Sequence, residues 1–328
     1  MANLNRNDLL YALIDAFRMY TEAVLFAGGT NPYDFSLNEE PATVFIGNIH
    51  FAARSDSDEF RIQCPGDLPE TLSTHVDEGR KVLILGYFSD LEIFSAWDPE
   101  RFVNRNTRIQ RFSIYTRLSK LTEARERGFS TYIDSYQQNI VMFRPEFIGL
   151  YVENANTLHE ASAGELQKLV SFYEPSEPGK QPRRRVTINK RRIEVTHTQY
   201  VRSPQFRAMV LGAYRHRCAI CGLQLELIEA AHIVPHAHPQ GLDVVENGVA
   251  LCALHHKSFD MGLLYFDDSY SVLLNPGRLD YLRKVGKNIG LKSYVKSLRT
   301  RLVLPSQERE YPSRQNIVLG NQLRGINV

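Results

Sequence analysis

The chain has 328 residues, 43% of them apolar and 23% charged, which is enough to bury at least one large core and excludes a peptide or a disordered polymer. Its longest apolar run, Val82 to Phe88, falls far short of the roughly 20 residues a membrane-crossing helix needs, and Met1 to Asp15 lacks a secretion-signal pattern, so a soluble cytoplasmic protein with no membrane partner is expected. The net charge of +2 hides an asymmetry, with 16 Lys and Arg against 24 Asp and Glu in residues 1–170 and 23 against 13 in residues 171–328; the basic half suits a polyanion, of which nucleic acid is the commonest.

In chain order, Asn7 to Val24 has the periodicity of an amphipathic helix, Ala42 to Ala53 and Glu59 to Cys64 alternate like strands, and Leu68 to Asp77 reads as a helix. Lys81 to Phe88 and Leu91 to Trp97 predict two strands across a turn. Ile114 to Arg127 reads as helix, Asn139 to Phe143 as a short strand, and Pro145 to Leu158 as a helix with proline in its first turn, where the missing N–H costs least. About five strands mixed with helices predict an α+β domain over residues 1–172. No glycine-rich phosphate loop or histidine pair at ligand spacing occurs there. Trp97, the only tryptophan, fits either a base-stacking surface or the core.

Residues 173–200 read as an interdomain linker, because three prolines and a glycine between Tyr173 and Pro182 defeat both helix and central strand. The linker carries two basic triplets, Arg183-Arg184-Arg185 and Lys190-Arg191-Arg192. They suit a phosphate backbone or, equally, a solvated charged tether.

The chemistry concentrates in residues 201–328. Six of the ten histidines lie between His216 and His256, together with three of the four cysteines. Cys218 and Cys221 form one two-residue knuckle, and Cys252 with His255 forms a second. Two such pairs can close a tetrahedral Cys₃His site on one structural Zn²⁺, and three clustered thiols suit a reducing compartment. His232, Asn247, His256 and Asp260 remain. His256 and Asp260 are four apart on a predicted helix and share a face, able to grip one divalent ion. His232 is expected at the end of a hairpin strand, with Asn247-Gly248 between hairpin and helix, where the Asn side chain braces the loop.

This order of residues, C-x2-C, A-A-H-I-x-P, N-G, then L-C-x2-H-H-x2-F-D-x-G, resembles the HNH endonuclease family, whose fold is a ββα-metal unit. The resemblance spans roughly Arg202 to Pro276, and from Phe206 onward the chain is similar to restriction endonucleases of that family. It implies His232 as the general base, Asn247 as holder of the site's geometry, and His256 as ligand of a catalytic Mg²⁺ or Mn²⁺. One departure stands out. Many family members place Asp or His directly before the first histidine as a metal ligand, whereas this chain has Ala231. Asp260 is the expected replacement, Glu229 the next candidate and Asp243 the weakest.

The function expected from this reading is metal-dependent hydrolysis of DNA phosphodiesters in restriction or phage defence, with DNA as substrate and a second copy of the chain as a further partner. Arg202, Arg207, Arg215 and Arg217 would contact flanking phosphates. The α+β domain fits a reader of SRA or PUA type that takes a modified base among Tyr87, Phe88, Phe94 and Trp97, although most of these aromatics suit the core better, or a sensor of a small ligand or partner. A zinc-stabilised DNA-binding module without catalysis explains the cysteines and the charge, but leaves His232, Asn247, His256 and Asp260 with no reason to coexist.

Overall fold

The structure is a computed structural model that describes residues 4–21, 24–103, 110–173, 184–188, 191–195 and 204–326. Its contacts group into two compact units, Met1–Glu22 with Gly29–Gln199, and Ala23–Gly28 with Tyr200–Val328. Among the described residues no helix is long and apolar enough to cross a membrane.

The first unit is mixed α+β. Its opening helix, Arg6–Tyr20, starts at a reciprocal cap: Asn5 Oδ1 accepts from the Asp8 N–H at 2.9 Å, and the Asp8 carboxylate accepts from the Asn5 N–H at 2.7 Å. The helix stops short of the predicted Val24, because Thr21 is extended and Val24–Gly29 is a strand. In the larger sheet, Tyr33–Leu37, Glu40–Asn48, Lys81–Phe88, Ile93–Trp97, Asn139–Phe143 and Phe129–Ile133 lie side by side in that order. Glu40–Asn48 and Lys81–Phe88 run parallel, and the other neighbours are antiparallel. A smaller sheet of His50–Phe51, Glu59–Pro65 and Arg111–Arg117 packs on it. The approach is close at the paired Gly47 and Gly86, where a Cβ would come within 2.8 Å of Ile62 and of Ile49.

One expectation for this unit is corrected and one open alternative is decided. Arg111–Arg117 is a strand with Phe112, Ile114 and Thr116 buried in alternation, and the helix predicted from Ile114 begins only at Leu118. Tyr87, Phe88, Phe94 and Trp97 are all buried, and the Trp97 Nε1–H donates to the Tyr115 carbonyl at 3.1 Å, so these aromatics fill the core instead of lining a base pocket. Within the segment read as linker, Arg184–Ile188 and Arg191–Val195 pair as antiparallel strands. The β-branched residues Val186, Thr187, Ile188, Ile193 and Val195 favour pairing across the short Asn189-Lys190 connection, a signal that the upstream prolines mask.

The second unit is built around one core. Helix Pro204–Ala213 leads through the Cys218–Cys221 turn to strand Ile228–His232, which pairs antiparallel with Gly248–Cys252; helix Ala253–Asp260 follows directly. Asn247-Gly248 thus lies between the two strands of the hairpin, not between hairpin and helix as predicted, since Gly248–Cys252 is itself a fully buried strand. Gly248 is required there, because a Cβ would meet Val210 of the crossing helix at 2.3 Å. A second hairpin, Leu264–Phe266 with Val272–Leu274, and helices Pro276–Lys284, Leu291–Lys296 and Arg314–Gln322 complete the unit.

Candidate active site and metal centre

Cys218, Cys221, Cys252 and His255 converge with their ligand atoms all within 4.8 Å of one another. The knuckle forms because the Gly222 N–H donates to the Cys218 carbonyl at 2.9 Å and Gly222 adopts a φ of 77°, which returns Cys221 towards Cys218. The hairpin brings Cys252 opposite Ile228, and the first turn of the following helix adds His255. Zn–S and Zn–N bonds of about 2.3 and 2.1 Å in a tetrahedron set S···S near about 3.8 Å and S···N near about 3.6 Å. The structure has Cys221 Sγ to Cys252 Sγ at 3.9 Å, and His255 Nδ1 at 3.4 Å from Cys218 Sγ and 3.3 Å from Cys252 Sγ. On the far side His255 Nε2 lies 3.3 Å from Ser297 Oγ, which directs Nδ1 into the cluster.

Electrostatics agree with this geometry. Burial raises the Cys218 thiol, but His255 and backbone N–H groups outweigh it and bring it down to about 6. Burial and the neighbouring sulfurs push Cys221 up to about 12 and raise Cys252 as well. Three thiolates this close repel one another, and a cation is what lets them ionise together. The donor set therefore fits zinc.

His232 closes its strand with the imidazole stacked on Phe206, ring centroids 3.9 Å apart and planes at 12°. Its Nε2 lies 2.8 Å from Asp243 Oδ1. A carboxylate only accepts, so Nε2 carries the proton in this pair and the basic nitrogen is Nδ1. Asp243, the weakest metal candidate in the sequence, is thus the partner of His232. Asn247 is fully buried and ties down the loop that carries Asp243. Its Oδ1 accepts from the Val234 N–H at 2.9 Å, and its Nδ2 donates to the carbonyls of Val234 and Leu242 at 3.0 Å each. Leu242 directly precedes Asp243, so the asparagine positions the carboxylate that holds the His232 ring.

His256 lies on the helix between two carboxylates. Nδ1 is hydrogen-bonded to Glu229, three residues before His232 on the strand, and Nε2 is 3.3 Å from Asp260 Oδ2. If Nδ1 donates to Glu229, a neutral ring turns its Nε2 lone pair towards the Asp260 carboxylate, and only a proton or a cation between them relieves the repulsion. Adjacent ligands of a hexacoordinate Mg²⁺, each at about 2.1 Å, lie roughly 3 Å apart. The pair His256 Nε2 and Asp260 fits such an ion, and Glu229 fits the carboxylate that orients a metal-binding histidine from behind.

Arg324 went unnoticed in the sequence. It is buried beneath the site, donating from Nη1 to the Ile233 carbonyl at 2.6 Å and from Nη2 to the His232 carbonyl at 2.9 Å, with Nη2 3.7 Å from Asp260 Oδ1. Its guanidinium lies over the Phe259 ring at 4.0 Å. One side chain thereby joins the strand of His232 to the helix of Asp260. Of the arginines expected to meet phosphate, Arg207, Arg215 and Arg217 are exposed near the knuckle, and Arg207 also donates to the Ile228 carbonyl at 3.3 Å. Arg183, Lys190 and Arg202 lie outside the described residues, as do the side chains of Arg184, Arg185, Arg191 and Arg192.

Residues 218–267 match the family described as HNH endonuclease, and residues 42–152 match the family described as Methylase-associated X1. No curated protein matches the chain. Among solved structures, a Modification dependent TagI restriction endonuclease is similar at 14% identity over 93% of this chain and 89% of its own, with a TM-score of 0.27. HNH nucleases use divalent metals, and the arrangement of His232, Asn247 and His256 on hairpin and helix lies within the matched span. The chain carries an HNH endonuclease domain behind a methylase-associated X1 domain, and it is a nuclease that acts on DNA.

Proposed function

We propose that the protein is a metal-dependent DNA endonuclease of restriction or phage defence whose cut depends on base modification read by the first domain. The observation that carries the catalytic part is the pairing of each histidine with its own carboxylate, His232 with Asp243 and His256 with Glu229. A non-catalytic zinc module has no use for two histidines braced in this way. The modification-dependent part is supported by the match of residues 42–152 to a methylase-associated family.

In this reading His232 Nδ1 removes the proton from the attacking water while Asp243 holds the Nε2–H and stabilises the charge that develops on the ring. His256 and Asp260 would hold Mg²⁺ or Mn²⁺, which when bound supplies positive charge to the phosphate and the departing oxygen. Glu229 fixes the His256 ring, Asn247 fixes the loop, and Arg324 keeps strand and helix in register. A homodimer would supply one such site for each strand of a duplex. Cys218, Cys221, Cys252 and His255 would hold structural zinc. Cleavage of matched DNAs with and without modified cytosine or adenine in Mg²⁺ tests the proposal, with His232→Ala as control. The parent should cut modified DNA while the variant loses about 10²–10⁴-fold in rate; equal cutting of both DNAs removes modification dependence, and an active His232→Ala removes the assigned base.

A further inference from the structure

Between the second hairpin and Ser297 the chain has no part in the chemistry above, yet with the residues just after it this is the most basic stretch among the described residues. From Arg278 to Arg301 it carries eight Lys and Arg and one acidic residue, Asp280. Lys284, Lys287, Lys292, Lys296 and Arg299 are all exposed. The stretch folds as helix Pro276–Lys284 and helix Leu291–Lys296, joined by a tip that turns on Gly286 and Gly290 with φ of 70° and 86°. Between those glycines stands Ile289, which is 97% exposed. A large apolar side chain held in water between Lys287 and Lys292 in the sequence has no packing reason to be there.

The base of this arm, by contrast, is fixed. Asn275 accepts from the Arg278 N–H at 3.2 Å and donates to the Gly262 carbonyl at 3.1 Å, and Tyr281 is buried. At the other end the Tyr294 ring lies 5.9 Å from His255, Ser297 Oγ faces His255 Nε2, and Arg299 lies over Gly222, where a Cβ would come within 3.1 Å of its guanidinium. The Val303 N–H then donates to the carbonyl of Ala219, inside the knuckle, at 2.8 Å. The arm is therefore mounted on the Cys₃His centre and presents a cationic, apolar-tipped surface.

We propose that residues 276–301 form a DNA-docking arm whose lysines contact phosphates on either side of a groove while Ile289 enters it, with the metal centre as its mount. Charge complementarity supplies the attraction, and an apolar side chain flanked by cations is the usual means of entering a groove and parting a base step. The inference rests on the nuclease reading only for the choice of DNA as the polyanion.

The test uses the full chain with zinc, Ca²⁺ in place of Mg²⁺, a labelled duplex and anisotropy titrations over a range of KCl. Lys287→Ala/Lys292→Ala/Lys296→Ala should weaken binding roughly 10- to 100-fold and flatten the slope of log affinity against log salt by about 2–3, since each lost phosphate contact removes about 0.9. Ile289→Ala should weaken binding with the slope unchanged. Zinc content and melting temperature equal to the parent's show that both variants are folded. An unchanged affinity and slope in the triple variant overturns the arm, and an unchanged affinity in Ile289→Ala overturns the insertion. Loss of binding to phosphatidylserine vesicles, with DNA affinity intact, assigns the arm to membranes and also overturns the proposal. Failure of the nuclease reading shows separately, as no cleavage by the parent in Mg²⁺.

Discussion

Asp243 decides which nitrogen of His232 is basic, because its carboxylate accepts the Nε2–H. Asp243→Asn keeps the shape but lets the amide donate as well as accept, so the tautomer is no longer fixed. The turnover number in a Mg²⁺-dependent cleavage assay should fall about 10–100-fold with DNA affinity retained; an unchanged rate would return Asp243 to a loop-capping role. Asp260→Asn, beside His256 Nε2, should need far more Mg²⁺ or Mn²⁺ for cleavage and melt within a few degrees of the parent, as read from metal titrations of the rate. An identical metal dependence would remove Asp260 from the ligand role. His232, Asn247 and His256 are legible in the sequence because each belongs to a short local pattern. Their supports are not: Asp243 is 11 residues from His232, Glu229 is 27 from His256, and Arg324 is 92 from His232. Only the hairpin and the packing of the last described helix bring them together, and no spacing rule encodes that.

At the scale of elements, the Cys218–Cys221 knuckle, the hairpin and the helix Ala253–Asp260 form one unit because Cys252 is at once the end of a strand and a corner of the cluster. Removing one ligand leaves buried thiols without a counter-charge. Cys218→Ser should lower zinc from about one ion per chain to well under half and yield largely insoluble protein, measured by metal analysis and sedimentation, since binding of such an ion is part of the folding free energy. A soluble variant with the parent's melting temperature would show that the cluster holds no structural metal. The elements of this unit were legible where period and punctuation agreed. In the first unit, Ile114–Arg117 reads as helix because the strand's alternation runs without a break into the helical Leu118–Arg127, and Phe129–Ile133 carries no separate signal because it is a strand that starts directly after that helix.

At the scale of the molecule, the HNH match ends at residue 267, but the site is finished by Arg324, delivered by helix Arg314–Gln322. Arg324→Met keeps the length and the contact with Phe259 but abandons the carbonyls of His232, Ile233 and Gly320, each worth about 1–3 kcal/mol when left unpaired. The melting temperature should drop by roughly 5–10 °C, and cleavage well below the new midpoint should stay slower than the parent's; a full rate there would confine Arg324 to stability. Long-range closure of this kind was illegible, whereas the division into an acidic and a basic half was plain from charge alone. The hub at Asn247 carries a further consequence, for the ageing of the protein. Asn-Gly is the dipeptide most prone to deamidation, in which the glycine nitrogen attacks the side-chain amide and expels ammonia. Here the amide is held by Val234 and Leu242, and the Gly248 N–H is engaged by the Val245 carbonyl, so the folded chain resists the attack that an unfolded one suffers. An unfolded interval would leave an acid at position 247 facing two carbonyls, and refolding could not rebuild the loop that carries Asp243 to His232.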